Sequence, residues 1–500
     1  RPARNTLGLT ALGLDLALLQ DAEGRWSWQL ERGRIERGWE RILTAGDLTL
    51  RDVGIRVVPQ ALPALSLEVP EAALARDGRR LSVELLARPE GVRGAPARVA
   101  LRLALDDQRL ESLRGYARID GFRIDVDPAA EAGLVVDGQA WIDWTAVAGV
   151  DGRVDLELGR LARGEPAERA ELTATLRGRG ETLRVGADVA DAATGRRWIE
   201  HAGVGTDRSS YALAADTVDL ARLHAWVGPW RARGLAWPAR VEGRLHDFAY
   251  GAGFGHGAHA VRGRVDALGL SFDAPALTLE LDALDLGLAG DALQLMPAGG
   301  FRLDWPALFP EPLSFDRSGG AVRLRDGRIV FDGLEIADPA RVVRVDGTAL
   351  TSPSWTPGVV LDLLVDTPRL ASEDPQRWLP LKGLPPDVRS WLAGALIAVE
   401  DVEARTTLFG DPSTWQRGMS DGALNSRIRF EGLTLDYARG WPRGEALRGE
   451  LEFLGPSMDA RVEAGRVAGV DLQAPRVRIA HLPSAEIELD LASASTADAA

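Results

Sequence analysis

A strict alternation of apolar and polar residues recurs along most of this 500-residue chain, and it restricts the possible folds more than any other feature. In Arg98–Asp106 (RVALRLALD), valine and leucines alternate with arginine, alanine and aspartate. Successive side chains of a strand point to opposite faces of a sheet, so each such strand has one apolar and one charged face. The sequence therefore predicts a mainly β protein, built as a long twisted antiparallel sheet. The same pattern recurs in Thr49–Val57, Gly121–Asp127, Gly152–Leu158, Pro275–Ala289, Val359–Asp366, Ser426–Leu435, Arg476–Ile479 and Glu486–Leu491.

Asp-Gly pairs recur between and within these stretches, and they are typical of tight hairpin turns. No fixed repeat length separates them, which disfavours a β-helix with regular coils. In Pro275–Ala289 the alternation slips by one residue at Ala283-Leu284, which indicates either a bulge or a turn. The pairs are Asp77-Gly78, Asp137-Gly138, Asp151-Gly152, Asp326-Gly327, Asp332-Gly333, Asp346-Gly347 and Asp421-Gly422.

Two stretches have helical periodicity instead. In the first, Asp219–Trp226, apolar residues share one helical face, Asp219 can act as N-cap, and Gly228-Pro229 ends the helix. In the second, Asp374-Pro375 opens a short helix and Leu384–Asp387 (LPPD) interrupts it. A further helix is then predicted, with Val388, Trp391, Leu392, Ala395 and Leu396 on one face.

The composition excludes several classes of site. The chain has no cysteine, so disulfides, thiolate zinc sites and cysteine nucleophiles are excluded. The net charge is −14 and basic residues are dispersed, so we predict no nucleic-acid binding. The longest apolar run, Leu7–Leu19, contains Asp15 and is shorter than the roughly 20 residues needed to span a bilayer.

Catalytic and metal-binding patterns are missing from the sequence as well. His256 and His259 have a metal-like spacing, but they lie in a glycine-rich stretch without a clear carboxylate partner. Neither a phosphate-binding loop nor a hydrolase or metalloprotease motif occurs. Most carboxylates alternate with leucines, as in Glu486–Leu491, which is typical of a solvated strand face. We therefore predict no catalytic residue, no metal site and no cofactor.

The apolar faces of the strands need cover, because burial of apolar surface is worth about 25 cal/mol per Å². The few short helices are too small to supply it. Three arrangements remain open: a sandwich of two sheets, closure into barrels or coils, or a long groove whose apolar interior holds something other than protein. Alternation alone does not separate these arrangements.

Several motifs resemble those of the YhdP-type, AsmA-like proteins of Gram-negative bacteria. Trp378–Leu396 (WLPLKGLPPDVRSWLAGAL) matches the family's helix pair, and the strand after it ends in Leu408–Pro412 (LFGDP). Downstream, Asp436–Pro442 (DYARGWP) and Leu447–Phe453 (LRGELEF) match a further family run. Upstream, Ala321–Leu350 resembles the family's strand repeats.

This resemblance covers residues 309–491 best and implies a fold and a function. AsmA-like proteins are bridge-like lipid-transfer proteins, so the sheet is expected to curl into an elongated hydrophobic groove. The implied function is non-enzymatic transfer of glycerophospholipids between the inner and outer membranes. The lipid-binding candidates are the inward aliphatic residues Leu277, Leu279, Leu281, Leu284, Leu286, Leu361, Leu363, Ile487 and Leu489.

The resemblance also implies a periplasmic location, with an inner-membrane anchor upstream of Arg1, and envelope proteins as possible partners at either end. The helical insertion is expected either to guard a sheet edge, which we favour, or to close the groove opening. The expected divisions are a β-groove segment over 1–218, a second over 219–367, the insertion at 368–400, a third groove segment over 401–491, and a disordered tail or truncation point at 492–500.

Two other functions remain open at this point. One is a structural or adhesive β-rich envelope protein whose apolar face is filled by facing side chains. The other is a polysaccharide-acting enzyme on a β-solenoid, with Asp282 or Asp285 as the acidic residue.

Overall fold

A computed structural model describes most of the chain, and 84% of the described residues lie in strands. The described residues are 9–12, 15–20, 26–32, 47–58, 65–106, 109–127, 132–162, 165–179, 182–206, 210–228, 238–253, 258–273, 276–307, 309–325, 328–350, 360–372, 375–378, 390, 393–410, 422–436, 440–454, 457–480 and 487–492. The chain divides into two compact units, unit 1 (residues 1–230 and 247–258) and unit 2 (residues 231–246 and 259–500).

Unit 1 contains fifteen strands and one α-helix in its described part. The strands are β1 (Leu9–Leu12), β2 (Asp15–Gln20), β3 (Trp26–Arg32), β4 (Asp47–Val58), β5 (Leu65–Asp77), β6 (Arg80–Pro89), β7 (Val92–Arg93), β8 (Ala97–Asp106), β9 (Arg109–Asp127), β10 (Ala132–Thr145), β11 (Gly149–Ala162), β12 (Glu165–Arg179), β13 (Thr182–Asp191), β14 (Arg197–Thr206) and β15 (Ser210–Asp219). The helix is α1 (Leu220–Val227), and β16 (Arg240–Gly253) contributes residues to both units.

Unit 2 contains the remaining strands and a single-turn 3-10 helix at Pro375–Trp378. Its strands are β17 (Ala258–Asp273), β18 (Ala276–Ala289), β19 (Ala292–Asp304), β20 (Leu313–Arg325), β21 (Arg328–Ala337), β22 (Arg341–Leu350), β23 (Val360–Leu370), β24 (Leu396–Ala398), β25 (Asp401–Gly410), β26 (Gly422–Leu435), β27 (Gly444–Leu454), β28 (Ser457–Val467), β29 (Val470–Asp471), β30 (Gln473–Ile479) and β31 (Ile487–Ala492).

Within each unit the strands follow one another as an antiparallel meander. In unit 2, β17 to β23 each pair with the next strand in sequence, and β23 then pairs with β25. Among the described residues no pairing joins β31 back to β17, so this sheet is open. The predicted fold class, a long antiparallel sheet with few short helices, is confirmed.

The N-terminal edge of unit 1 departs from this pattern. There β1 and β2 both run parallel to β4, β1 beside its first half and β2 beside its second half. Parallel pairing joins strands that are not connected by a hairpin. The alternation pattern reports only which side chains share a face of one strand, so it does not predict this pairing.

Many long strands contain a β-bulge near the middle, and an aspartate on the neighbouring strand holds several of these bulges. The residues Gly121, His201 and Gly333 have positive φ values of 67°, 49° and 57°. Their backbone N–H groups donate to Asp137, Asp188 and Asp346 at 2.6, 2.8 and 2.7 Å, respectively. The fourth case is Gly300, which follows Gly299 (φ 79°) and donates to Asp282 at 2.6 Å. Bulges bend a strand and increase its twist, so these bonds set where the sheet bends.

The prediction that Asp-Gly pairs mark turns is wrong for most of the described pairs. Asp77-Gly78 does form the turn between β5 and β6. The others lie inside strands: Asp137-Gly138 in β10, Asp151-Gly152 in β11, Asp332-Gly333 in β21 and Asp346-Gly347 in β22. Gly138, Gly333 and Gly347 have positive φ and lie in or opposite a bulge, which uses the same backbone conformation as a turn and so favours the same dipeptide. Asp151-Gly152 lies at no register shift and has no such explanation. Asp326-Gly327 and Asp421-Gly422 each include residues outside the described ones.

Gly347 shows why glycine is needed at such a position. Its φ is 124°, and a Cβ atom there would lie 2.1 Å from the carbonyl oxygen of Asp362 on β23. Only a residue without a side chain allows the two strands to approach this closely.

The predicted helix at Asp219–Trp226 is confirmed as α1. Asp219 is its N-cap, and the Asp219 carboxylate accepts the backbone N–H of Arg222 at 3.1 Å. In the insertion, the predicted opening at Pro375 is the 3-10 helix, and residues 390 and 393–395 are helical. Most of the second predicted helix lies outside the described residues.

Whether the insertion guards a sheet edge, as we favour, or closes the groove opening stays a prediction, because most of the insertion lies outside the described residues. β23 precedes the insertion and pairs on one side with β22 and on the other with β25. The insertion therefore connects two strands that pair with each other, and its short strand β24 pairs with β26.

We expect Asp346→Ala to loosen the bulge of β21. Removal of a charge-assisted hydrogen bond to the backbone lowers the free energy of local opening by about 1 kcal/mol. The amides that become exposed by this opening should then exchange roughly fivefold faster. Hydrogen exchange of the peptide covering 328–337 measures this effect. The control is Asp362→Ala, because the Asp362 carboxylate makes no hydrogen bond among the described residues. Equal exchange rates in both variants would contradict the role of Asp346.

Candidate functional site

The apolar face of β17–β20 is a continuous surface of leucine, valine and phenylalanine. Leu279 on β18 lies opposite Leu270 on β17 and Leu303 on β19. Directly opposed residues project from the same face of a sheet, so each match extends the surface by one strand. We call the following set the unit 2 floor: Val265, Leu268, Leu270, Leu277, Leu279, Leu281, Leu284, Leu286, Leu295, Phe301, Leu303, Leu313, Phe315, Val322 and Leu324.

The phase slip in β18 is a bulge and not a turn. β18 is one strand throughout Ala276–Ala289, and its register with β19 shifts by one residue between Leu281 and Ala283. On both sides of the shift, leucines oppose apolar residues: Leu281 opposes Phe301, and Leu286 opposes Leu295. The floor therefore continues past the irregularity.

The other predicted lipid-binding residues occupy later strands. Leu363 is half-buried on β23, opposite Gly347 and Leu408. The backbone of Leu361 lies opposite Ala349 and Gly410, and those of Ile487 and Leu489 lie opposite Ile479 and Val477 on β30. The side chains of Leu361, Ile487 and Leu489 are outside the described residues. A lipid-binding role for all nine residues stays a prediction.

The floor is only partly covered by protein. Leu281, Leu268 and Val265 are 8%, 7% and 5% exposed, whereas Leu277, Leu279, Leu284 and Leu286 are half-buried. No large side chain in the described part of the chain is less than 2% exposed. In a sandwich, leucines between two sheets are normally fully buried. The floor leucines thus have neighbours at their sides, and among the described residues no second protein layer buries them fully.

The 3-10 helix lies on this floor near the strand ends. The Trp378 ring packs 5.8 Å from Phe315, which is in turn 6.3 Å from Phe301. The guanidinium of Arg341 stacks on Trp378 at 3.7 Å and forms an ion pair with Asp338, whose side chain is 5% exposed. This cation–π contact and the buried ion pair hold Trp378 against the floor. In the sequence, Trp378 stands out only as part of a family motif. Its contacts with Phe315 and Arg341 are not visible there, because these residues are distant along the chain.

In unit 1 the apolar face is covered in part by α1. Trp226 stacks on Trp198 of β14, with ring centroids 6.1 Å apart and planes 21° apart. Ala170 and Val189, on two neighbouring strands, complete this cluster. At the other side of the helix, Arg222 forms an ion pair with Asp191 at 3.4 Å. Helix α1 is therefore docked onto the sheet by a tryptophan pair and by an ion pair.

A model of one protein family, described as YhdP protein, matches residues 5–500. The chain belongs to the YhdP family. No curated protein and no solved structure matches it. The YhdP family is associated with the cell envelope, and an open β-sheet with a half-exposed apolar face fits a bridge-like lipid-transfer protein.

Among the described residues, no three histidine or acidic side chains are arranged to hold a metal ion. His256 lies outside those residues, and His259 is exposed. In the described part, no helix has the length and apolar character needed to cross a bilayer.

The two carboxylates considered for an enzyme both have structural partners. Asp282 accepts the Gly300 N–H of the bulge in β19, and Asp285 forms an ion pair with Arg264 at 3.2 Å. The hydrogen bond that Arg264 donates to Asp266, followed by the charge of Asp285, raises the pKa of Arg264 further above its usual range. These contacts account for both carboxylates as parts of the charged face.

Cross-strand ion pairs of this kind run over the charged face. Arg302 pairs with Glu280 at 3.7 Å, and Arg344 pairs with Glu335 at 2.8 Å. Most are exposed, and an exposed pair contributes about 0–1 kcal/mol, so they set strand register more than stability. Near the C-terminal end, Asp459 on β28 bonds to Arg476 and Arg478 of β30. The hydrogen bond from Arg476 lowers the pKa of Asp459 to about 2.

We expect Trp226→Ala to undock α1. Truncation of a buried tryptophan costs about 3–5 kcal/mol, and an isolated eight-residue helix is unstable in water. Hydrogen exchange of residues 219–228 should therefore become much faster. The matched control is Trp141→Ala, because Trp141 is 39% exposed on β10. A helix that stays protected in the Trp226 variant would contradict the docking role of this ring.

The contribution of Asp459 should depend on pH. Because its folded pKa is lowered from 3.8 to about 2, the ionised carboxylate stabilises the fold above pH 3.8, and this stability is lost as the pH falls toward 2. Asp459→Asn should speed exchange of β30 amides at pH 6, and the difference from wild type should shrink between pH 4 and pH 2. A difference that does not change over this range would argue against the linkage. Glu463→Gln, which removes an exposed partner of Arg448, is the control.

Proposed function

We propose that this YhdP-family protein is a non-enzymatic lipid conduit of the periplasm, which carries glycerophospholipids between the inner and outer membranes. The observation that carries the proposal is the half-exposed apolar floor. Its leucines oppose leucines across several strands, and no second sheet covers them among the described residues. Acyl chains are the ligand that such a surface accommodates.

The energetics of the floor suit transport rather than tight binding. Each methylene held out of water contributes about 0.8 kcal/mol, which opposes escape of the lipid into water. A surface made of similar aliphatic side chains gives a lipid nearly the same free energy at successive positions. We infer that lipids move along it by diffusion, with their headgroups at the open side. Envelope proteins that receive or deliver lipid at either end are part of this proposal.

The alternatives differ in what fills the space above the floor. A structural or adhesive protein would keep it dry and closed by protein. An enzyme would need a carboxylate free for chemistry, and the two candidates already hold a bulge and an arginine. Both alternatives are therefore less well supported than the conduit.

The test is direct. The chain, purified from a bacterial envelope, should release glycerophospholipid on extraction with organic solvent, and a photoactivatable lipid should label the floor peptides of β18 and β19. Leu279→Asn should reduce the bound lipid severalfold, because it places an amide under the acyl chains. Glu280→Asn, the next residue on the opposite face, is the control. Absence of lipid from the wild-type protein, or labelling confined to the charged face, would refute the conduit.

A further inference from the structure

The 3-10 helix brings an exposed ion pair to the rim of the unit 2 floor. Arg377 Nε lies 3.1 Å from Glu311 Oε2, and these side chains are 42% and 58% exposed. The next residue, Trp378, packs on Phe315 of the floor. Opposite charges that face water therefore lie one residue away from a ring that lies on the apolar surface.

We propose that Arg377 and Glu311 form a headgroup site for zwitterionic phospholipids, an inference that rests on the proposed lipid conduit. The Arg377 guanidinium binds the phosphate, and the Glu311 carboxylate binds the ammonium group. The acyl chains of the same lipid lie over Phe315 and Phe301.

The two arginines of this cluster differ in a way that supports these roles. Arg341 is 20% exposed, and its partner Asp338 is almost fully buried, so breaking that pair would leave a buried charge. The Arg341–Asp338 pair serves to hold Trp378 in place. The Arg377–Glu311 pair is exposed, and such pairs contribute at most about 1 kcal/mol. A zwitterionic headgroup can insert between Arg377 and Glu311 at little cost, because each of the two side chains then faces an opposite charge on the lipid.

Hydrogen-bond geometry also leaves room for a ligand. Arg377 Nε is buried next to Glu311 and makes no hydrogen bond among the described residues, whereas its terminal Nη2 has only a long 3.5 Å contact with the carbonyl of Pro312. A guanidinium binds a phosphate through two parallel N–H bonds. A phosphate at Arg377 would therefore bind the terminal Nη groups, of which Nη2 has only this long contact in the protein.

The site is tested by loading the full chain from vesicles that contain equal amounts of phosphatidylethanolamine and phosphatidylglycerol. Mass spectrometry of the extracted protein gives the ratio of the two bound lipids. We expect wild type to be enriched in phosphatidylethanolamine. Glu311→Gln removes the ammonium partner and leaves Arg377 positive, so the ratio should shift toward phosphatidylglycerol by about threefold or more. In Arg377→Gln, the ratio of the two bound lipids should return to that of the vesicles, with no enrichment in either lipid.

The matched control is the exposed pair of Arg302 and Glu280 on the charged face, where Glu280→Gln should leave the ratio unchanged. Glu311 is exposed, so its substitution is not expected to prevent folding, and unchanged hydrogen exchange of β19 and β20 would verify this. Bound lipid whose ratio matches the vesicles, or does not change in either variant, overturns the headgroup site and leaves the conduit intact. Absence of any bound lipid in wild type overturns both.

Discussion

Cross-strand pairing of like faces is the interaction on which both units depend. Each floor leucine of β18 has an apolar residue opposite it on β17 or β19, and on the other face arginines oppose carboxylates. A shift of one residue in any of these pairs would place charges among leucines, so the register is strongly specified. The result is an open sheet in which one face is apolar and the other is charged, and this difference continues over successive strands. Among the described residues, protein covers the apolar face of such a sheet only in part.

The bulges adapt this register to a bent sheet. An extra residue in one strand would normally end the match of apolar faces, yet leucines oppose apolar residues on both sides of the bulge between β18 and β19. The aspartates that bond to bulged N–H groups lie on the neighbouring strand, as Asp346 does for Gly333. Bending and register are thus controlled by the same side chains of the charged face. The carboxylates that could suggest an active site therefore have a structural role.

Both described helices use tryptophan to contact an apolar face. Trp226 of α1 lies on Trp198 in unit 1, and Trp378 of the 3-10 helix lies on Phe315 in unit 2. Each is also held by an arginine ion pair: Arg222 with Asp191 at α1, and Arg341 with Asp338 at the ring of Trp378. Aromatic rings supply a large contact area from a short helix. At these two places protein covers part of the apolar surface.

The sequence by itself determined the strands, their two faces and helix α1, because alternation and capping depend on residues that are neighbours in the chain. It also indicated that something must cover the apolar face. Only the tertiary structure decided that Asp137-Gly138 and Asp346-Gly347 lie opposite bulges, since the N–H groups that their aspartates accept belong to other strands. It likewise decided the parallel pairing at β4 and the contact of Trp378 with Phe315. These features depend on which distant residues meet, and a pattern read along one strand contains no information about its partner.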